Sequence, residues 1–303
     1  MVSGVRTLLA FVVLVLIWFV WQWVRLERRH RSSPSAAPHG MTWDIVIGFV
    51  TNFFDALGIG NFAPTTAAFK LLKRIPDEEI PGTLNAGHAV PVLIEALIFI
   101  AAVAVDFTTL LGMILASVVG AWFGAGVVAR LPRRAVQIGM GIALLVAAML
   151  FLAANLHWIP GGGESLGLSG GALIFAIGVN CVLGALMTLG IGLYAPCLIL
   201  ISLLGMSPLA AFPIMMGSCA LLMPVAAVRF IKACRYNLRA SVALSIGGVP
   251  GVLIAAYIVK HLALLWLQWL VVVVVTYAAL TMLQSAWRPR RTISSTQSDN
   301  LGY

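Results

Sequence analysis

The sequence predicts an all-α polytopic membrane protein made of two homologous repeats and one additional amino-terminal transmembrane helix. The 303-residue chain is 61% hydrophobic and 10% charged. Apolar runs of about 20 residues recur along it, and this length spans the hydrocarbon core as a helix. Residues 57–64 read L-G-I-G-N-F-A-P, and residues 189–196 read L-G-I-G-L-Y-A-P. Ten of the 25 positions from 57 to 81 are identical 132 residues further on, which indicates a duplicated domain.

The first predicted element is an apolar helix over residues 8–24. Arg6 alone precedes it, four arginines follow it between positions 25 and 31, and no small-residue cleavage site precedes these arginines. The pattern therefore indicates a retained anchor with its amino terminus outside, and not a secretory signal. Together with a short polar stretch, this anchor makes up a first unit over residues 1–42.

Each repeat contains four apolar segments, and glycine and proline interrupt the first of them. Repeat one covers residues 43–156 and repeat two covers residues 172–287, with a glycine-rich outer loop, 157–171, between them. The predicted segments are 43–72, 84–105, 108–129 and 135–156 in repeat one, and 172–204, 208–231, 240–259 and 262–286 in repeat two. The polar tail, residues 288–303, is expected to be disordered and cytoplasmic.

Length and charge predict that both interrupted segments fold back as re-entrant hairpins. As one straight helix, a segment of roughly 30 residues would be about 50 Å long, against a hydrocarbon core of about 30 Å. With two hairpins, 17 of the 19 Lys and Arg residues lie on the cytoplasmic side, whereas two single crossings divide them 11 to 8. Each repeat then crosses an odd number of times, so the second repeat is inverted, an arrangement known from secondary transporters. The expected location is the inner membrane of the cell.

The two breaks have the features of an anion site. Gly58 and Gly190 can end the first half-helix in the left-handed conformation that glycine adopts at little cost. Asn61 suits the N-cap of the returning half-helix, and Pro64 is tolerated in its first turn. The free N–H groups and the positive dipole end of each returning half-helix would then attract an anion deep in the membrane.

Glycines and polar side chains at both breaks are the predicted substrate-binding residues. The glycines would let the backbone approach the ligand, and the other residues would supply side-chain donors. The alternative is that glycine and proline only permit tight helix packing. The predicted residues are Gly58, Gly60, Asn61, Thr65, Thr66, Gly190, Gly192 and Tyr194.

Repeat one also carries ionisable groups that repeat two lacks. Asn85, His88 and Glu95 fall at i, i+3 and i+10 along one helix, and Asn52 and Asp55 form an i, i+3 pair before the first break. Ionisable residues within membrane spans are costly and usually functional, so Asp55, Glu95 and His88 are predicted to couple transport to protons. The alternative is that these side chains make structural hydrogen bonds that fix the helix register.

Several classes of function are not indicated. The four cysteines lie in or beside apolar segments without metal-ligand spacing, which predicts buried thiols, no metal and no cofactor. The net charge of +9 is explained by basic residues flanking the spans, so no nucleic-acid partner is expected. The chain has no H-E-x-x-H, G-x-S-x-G or phosphate-loop motif, and an enzyme is not predicted.

The duplicated halves, each opening with a glycine-interrupted G-x-G-x-x-x-P segment, resemble the TauE/SafE sulfite-exporter family of membrane permeases. The resemblance covers residues 43–286 and leaves the anchor and the tail as additions. It implies a secondary transporter that exports small sulfur-containing anions such as sulfite or sulfonates, coupled to protons or to the membrane potential. Asp55 before the break and Asn61 within it depart from the family's commoner run of glycines.

Two other transport functions remain open beside this one. Cys197 and Cys219 could handle a sulfur compound such as thiosulfate in a thiol-dependent importer. The substrate could also be another small anion, for example a carboxylate. In each case the expected partners are a small anion and the lipid bilayer.

Overall fold

The computed structural model describes residues 2–30, 41–128 and 163–259, apart from 59, 73, 77, 78 and 189–191. It also describes isolated residues between 134 and 156 and between 269 and 287, so the predicted segments 135–156 and 262–286 lie mostly outside the described residues. The continuous part forms helices α1 (Val2–His30), α2 (Met41–Ala56), α3 (Phe62–Leu71), α4 (Ile80–Ala102), α5 (Phe107–Val128), α6 (Gly170–Met187), α7 (Tyr194–Leu203), α8 (Pro208–Lys232) and α9 (Leu238–Val259).

This is a multi-pass membrane protein by the length and composition of its helices. Five of the helices are long and apolar enough to cross a membrane, and they are α1, α4, α6, α8 and α9. Both segments that the sequence predicts to be interrupted are broken in the structure. The first break lies between α2 and α3, and the second lies between α6 and α7.

The loop between α8 and α9 lies at one end of the molecule, which is called the Tyr236 end below. The Tyr236 hydroxyl donates a hydrogen bond to Glu27 and accepts one from the Trp23 indole at 3.2 Å, which places the end of α1 there. The backbone N–H of Asn237 donates to Thr83 Oγ1 at 2.9 Å, which places the start of α4 there as well.

The opposite end, here the Asp106 end, joins the loop between α4 and α5 to the residues before α6. The backbone N–H of Asp106 donates to the carbonyl of Leu166 at 2.7 Å. The Asp106 carboxylate also accepts hydrogen bonds from the backbone N–H and the hydroxyl of Thr109, at 2.8 and 3.0 Å. Asp106 therefore caps the first turn of α5.

In each broken pair, the residues that follow the second helix contact residues at or just before the start of the first helix. Arg74, which follows α3, forms a buried two-point ion pair with Asp44 in the first turn of α2, with both N–O distances 2.8 Å. In the second pair, the backbone N–H of Ser207 after α7 donates to the carbonyl of Ser165 before α6 at 2.8 Å. Both returning helices, α3 and α7, have 10 residues, which is about 15 Å or half of a hydrocarbon core.

Glycine contacts hold the first helix of each predicted repeat against the fourth helix of the other. In the contact of α2 with α9, a Cβ added at Gly247 would lie 1.9 Å from the carbonyl oxygen of Ile45. In the contact of α5 with α6, a Cβ added at Gly184 would lie 2.1 Å from the carbonyl oxygen of Ser117. Small residues let helix backbones touch in this way inside membranes. The central helices α4 and α8 pack against each other between these two pairs.

Candidate functional site

A small cavity lies where the two breaks face each other. The volume that the centre of a water molecule can occupy in this cavity is about 10 Å³, so the cavity holds about one water. The lining residues come from both breaks, from the ends of α2 and α6, and from α4 and α8. They are Asp55, Gly60, Asn61, Phe62, Val92, Met187, Gly192, Leu193, Tyr194, Cys219 and Met223.

Gly58 in the first break adopts the left-handed backbone conformation that the sequence predicts for it, and Gly60 adopts it as well. Gly58 has a φ of 90° and Gly60 has a φ of 87°, in the left-handed region that side chains disfavour. A Cβ at Gly60 would lie 3.8 Å from the Cβ of Tyr194, so the two breaks are in close contact here. In the second break, Gly190 lies outside the described residues, and a Cβ at Gly192 would meet nothing within 4 Å.

Asn61 connects the first break to α2. Its side-chain amide donates hydrogen bonds to Asp55 Oδ2 at 2.7 Å and to Asn52 Oδ1 at 3.1 Å. Its backbone carbonyl accepts the N–H of Thr65 at 3.1 Å, which is the first bond of α3. Asn61 therefore stands at the N-cap position, as predicted, but its amide donors are directed to α2.

His88 on α4 completes a buried polar network with α2 and α3. Its Nδ1 lies 2.9 Å from the Asn52 amide nitrogen, and its Nε2 lies 3.1 Å from the Thr65 hydroxyl. Asn85 stays outside this network, because its amide donates to the carbonyl of Pro81 at 2.8 Å. The Thr66 hydroxyl is buried and has no hydrogen-bond partner among the described residues.

Asp55 and Glu95 form a carboxyl pair beside the cavity, and here "acid pair" means these two residues. The two carboxyl groups are close enough to interact electrostatically, and Glu95 Oε1 has no hydrogen-bond partner among the described residues. The Tyr194 hydroxyl donates to Glu95 Oε2 at 3.1 Å. Both carboxyl groups are buried, with Asp55 1% exposed and Glu95 fully buried. A proton shared by two such groups removes the repulsion between like charges.

The repeat-two side of the cavity is built differently. Met187, Ala220 and Ala227 stand at the positions that correspond to Asp55, His88 and Glu95. This side supplies Tyr194, backbone and sulfur atoms, and the Cys219 thiol contacts the Met187 sulfur at 3.4 Å. The polar chemistry of the site is therefore concentrated in repeat one, and Tyr194 links it to repeat two.

Comparison with known proteins gives a family match for the first half of the chain. Residues 1–151 match the family model described as Sulfite exporter TauE/SafE. The match starts at residue 1 and thus includes α1, which lies outside the resemblance over residues 43–286, and it ends before the second repeat. No curated protein and no solved structure matches the chain.

Proposed function

We propose that this protein, whose residues 1–151 belong to the sulfite exporter TauE/SafE family, is a secondary transporter that binds its anion between the two breaks. The family is one of membrane transporters for sulfite-like anions. The finer proposal is that the substrate is a small sulfur-containing anion and that protons are coupled to its movement through the acid pair. The observation that carries this proposal is the cavity enclosed by both broken helices.

The helix ends at the cavity support an anion as the substrate. Helices α3 and α7 begin at Phe62 and Tyr194, which both line the cavity. Unpaired N–H groups and the positive dipole end of a helix favour negative charge there, by up to roughly 2 kcal/mol when partly buried. A buried anion loses several kcal/mol of hydration, so two such ends offset the loss better than one.

The size of the cavity indicates how the anion enters. Space for one water is smaller than a sulfite ion, so binding requires the two breaks to move apart. The breaks belong to different repeats, and relative motion of two repeats is how transporters of this general architecture expose a central site alternately to each side.

The placement of charge supports an orientation in the inner membrane. At the Tyr236 end the described helices and loops carry Arg25, Arg28, Lys232, Arg235 and Arg239. The Asp106 end carries Asp106 and Glu164, with Arg6 near the start of α1. By the positive-inside rule the Tyr236 end is cytoplasmic, and the amino terminus lies outside. The broken pairs are then re-entrant hairpins from opposite faces of an inverted repeat.

Cysteine labelling tests this orientation. In intact spheroplasts, a membrane-impermeant maleimide is expected to label Glu164→Cys in a Cys234→Ser background. Leu72→Cys, in the same background, is expected to react only after the membrane is opened. The exposed Cys234 of the wild-type protein should behave in the same way. Labelling of Leu72→Cys in intact spheroplasts would mean that the first broken pair crosses the membrane.

Flux measurements in proteoliposomes test the transport function. Wild-type protein is expected to carry sulfite and small sulfonates in preference to a dicarboxylate, and a pH gradient should change the rate. Glu95→Gln keeps an acceptor for Tyr194 but cannot lose a proton, so its flux should be insensitive to the gradient. Glu164→Gln is the matched control, since Glu164 is exposed at the Asp106 end. Gradient dependence in Glu95→Gln would reduce the acid pair to a structural role.

The position of Cys219 keeps the thiol-dependent importer as a second candidate. Its thiol lines the cavity next to the Met187 sulfur, where it could contact a thiosulfate sulfur directly. The discriminating variant is Cys219→Ala, assayed with thiosulfate and with sulfite in parallel. An anion site made of backbone N–H groups tolerates this change for both substrates, whereas a thiol-dependent site loses thiosulfate transport.

A further inference from the structure

We infer that an anion and a proton bind together at this site, so that the protein moves both in the same direction. This inference rests on the proposed function and adds to it the sign of the coupling. The alternative is exchange, in which the anion occupies the site only after the acid pair has released its proton.

The side-chain donors that face the cavity are already engaged by the acid pair. Asn61, from the first break, donates to Asp55 at 2.7 Å, and Tyr194, from the second, donates to Glu95 at 3.1 Å. These are the same donors that an anion between the breaks would need. An anion that took them would leave two buried carboxylate oxygens without hydrogen bonds, which is unfavourable.

Charge leads to the same conclusion. Asp55 lines the cavity, so an anion bound there lies beside its carboxyl group and is repelled when that group is charged. The groups that face the acid pair from neighbouring elements are Tyr194, Cys219 and, through Asn52, His88. Among the described residues, the hydrogen-bond donors to this pair are Asn61 and Tyr194, and no Lys or Arg forms an ion pair with it.

One additional proton weakens both conflicts. A proton taken from solvent onto the acid pair lowers the negative charge of the pair by one and gives one carboxyl group an O–H that can donate to the other. Asn61 and Tyr194 are then released from the carboxyl oxygens and can turn toward the anion. The only bond formed in the protein is this O–H, and the site gains one anion and one proton.

The direction of the pH effect follows from this linkage. If binding takes up one proton, the affinity for the anion rises as pH falls, by up to tenfold for each pH unit. In sealed vesicles, a pH gradient should drive the anion to the alkaline side. In an exchange mechanism the affinity for the anion would fall as pH falls, and a pH gradient would drive the anion to the acidic side.

Calorimetry on purified protein in nanodiscs can count the protons. The probe is methanesulfonate, which keeps the same charge throughout the pH range used, so every proton that is measured belongs to the protein. The titrations run from pH 5.5 to 8.5 in buffers with different enthalpies of ionisation. At pH values where the dissociation constant depends on pH, we expect about one proton to be taken up for each anion bound. Asp55→Asn imitates the protonated acid and should bind the anion with weaker or absent pH dependence. Glu164→Gln should behave as the wild type.

The outcomes separate this inference from the proposed function. Binding without proton uptake at any pH, or with proton release, would overturn the co-binding of anion and proton and leave the anion site standing. Absence of methanesulfonate and sulfite binding at every pH would contradict the proposed function, and this inference with it. The wild-type titration decides the question even if Asp55→Asn does not fold.

Discussion

Gly192→Val is expected to weaken anion binding strongly while the protein still inserts and purifies as a monodisperse species. A Cβ at Gly192 would meet nothing within 4 Å, because this glycine borders the cavity between the breaks. Valine therefore fits the folded protein but fills the space for one water into which the anion must enter. Overfilling a packed site costs about 1–3 kcal/mol, which lowers affinity by as much as a hundredfold or so.

Gly178→Val is the matched control for this substitution. Gly178 also lies in repeat two with nothing within 4 Å of its added Cβ, but it is on the exposed face of α6, away from the cavity. Its variant should bind sulfite and methanesulfonate like the wild type. Gly60→Val is a less clean test, because the φ of 87° at Gly60 adds backbone strain to the filling of the cavity. Unchanged binding in Gly192→Val would mean that the breaks serve helix packing alone.

Arg74→Met is expected to cause the largest loss of stability among single substitutions at the first broken pair. The Asp44 and Arg74 side chains are 2% and 1% exposed, and the substitution leaves the Asp44 carboxylate buried without its ion pair. Removing one partner of such a pair typically costs about 3–5 kcal/mol. The measurement is the midpoint of thermal unfolding in a mild detergent, together with the fraction of monodisperse protein.

The double variant Asp44→Leu with Arg74→Met separates loss of the pair from loss of packing. Replacing both charges by apolar side chains removes the uncompensated carboxylate, so most of the stability should return. Arg235→Met, at an exposed position of the Tyr236 end, should change the free energy of unfolding by no more than about 0.5 kcal/mol. If Arg74→Met is as stable as this control, the ion pair does not hold the returning helix in place.

The sequence predicts the helices and their breaks well, because these depend on local chemistry. The predicted break over residues 58–64 falls between Ala56 and the first turn of α3, and the break over 190–196 falls between Met187 and the first turn of α7. Glycine permits the positive φ at Gly58, and long apolar runs set the bounds of the other helices. None of this requires knowledge of which helices touch.

Side-chain partners could not be predicted, because they depend on contacts between distant elements. Spacing along α2 groups Asn52 with Asp55, but their link to His88 and Asn61 arises only when α2, α3 and α4 meet. Arg74 counts in the sequence merely as one cytoplasmic positive charge, and its burial against Asp44 has no local signal. The place of Cys219 at the cavity likewise depends on how α8 crosses the breaks.

The glycine contacts between the repeats have a consequence for how the protein is made. Gly48 on α2 packs against Leu244 on α9, a residue that leaves the ribosome roughly 200 residues later. The first broken pair carries the buried Asp55 and Asn52, and until α9 is synthesised it lacks the helix that covers it. Its packing can therefore be completed only after the second repeat has been translated. We expect a nascent chain that stops after repeat one to lack the contact of α2 with α9, so its first broken pair should not reach its final packing alone.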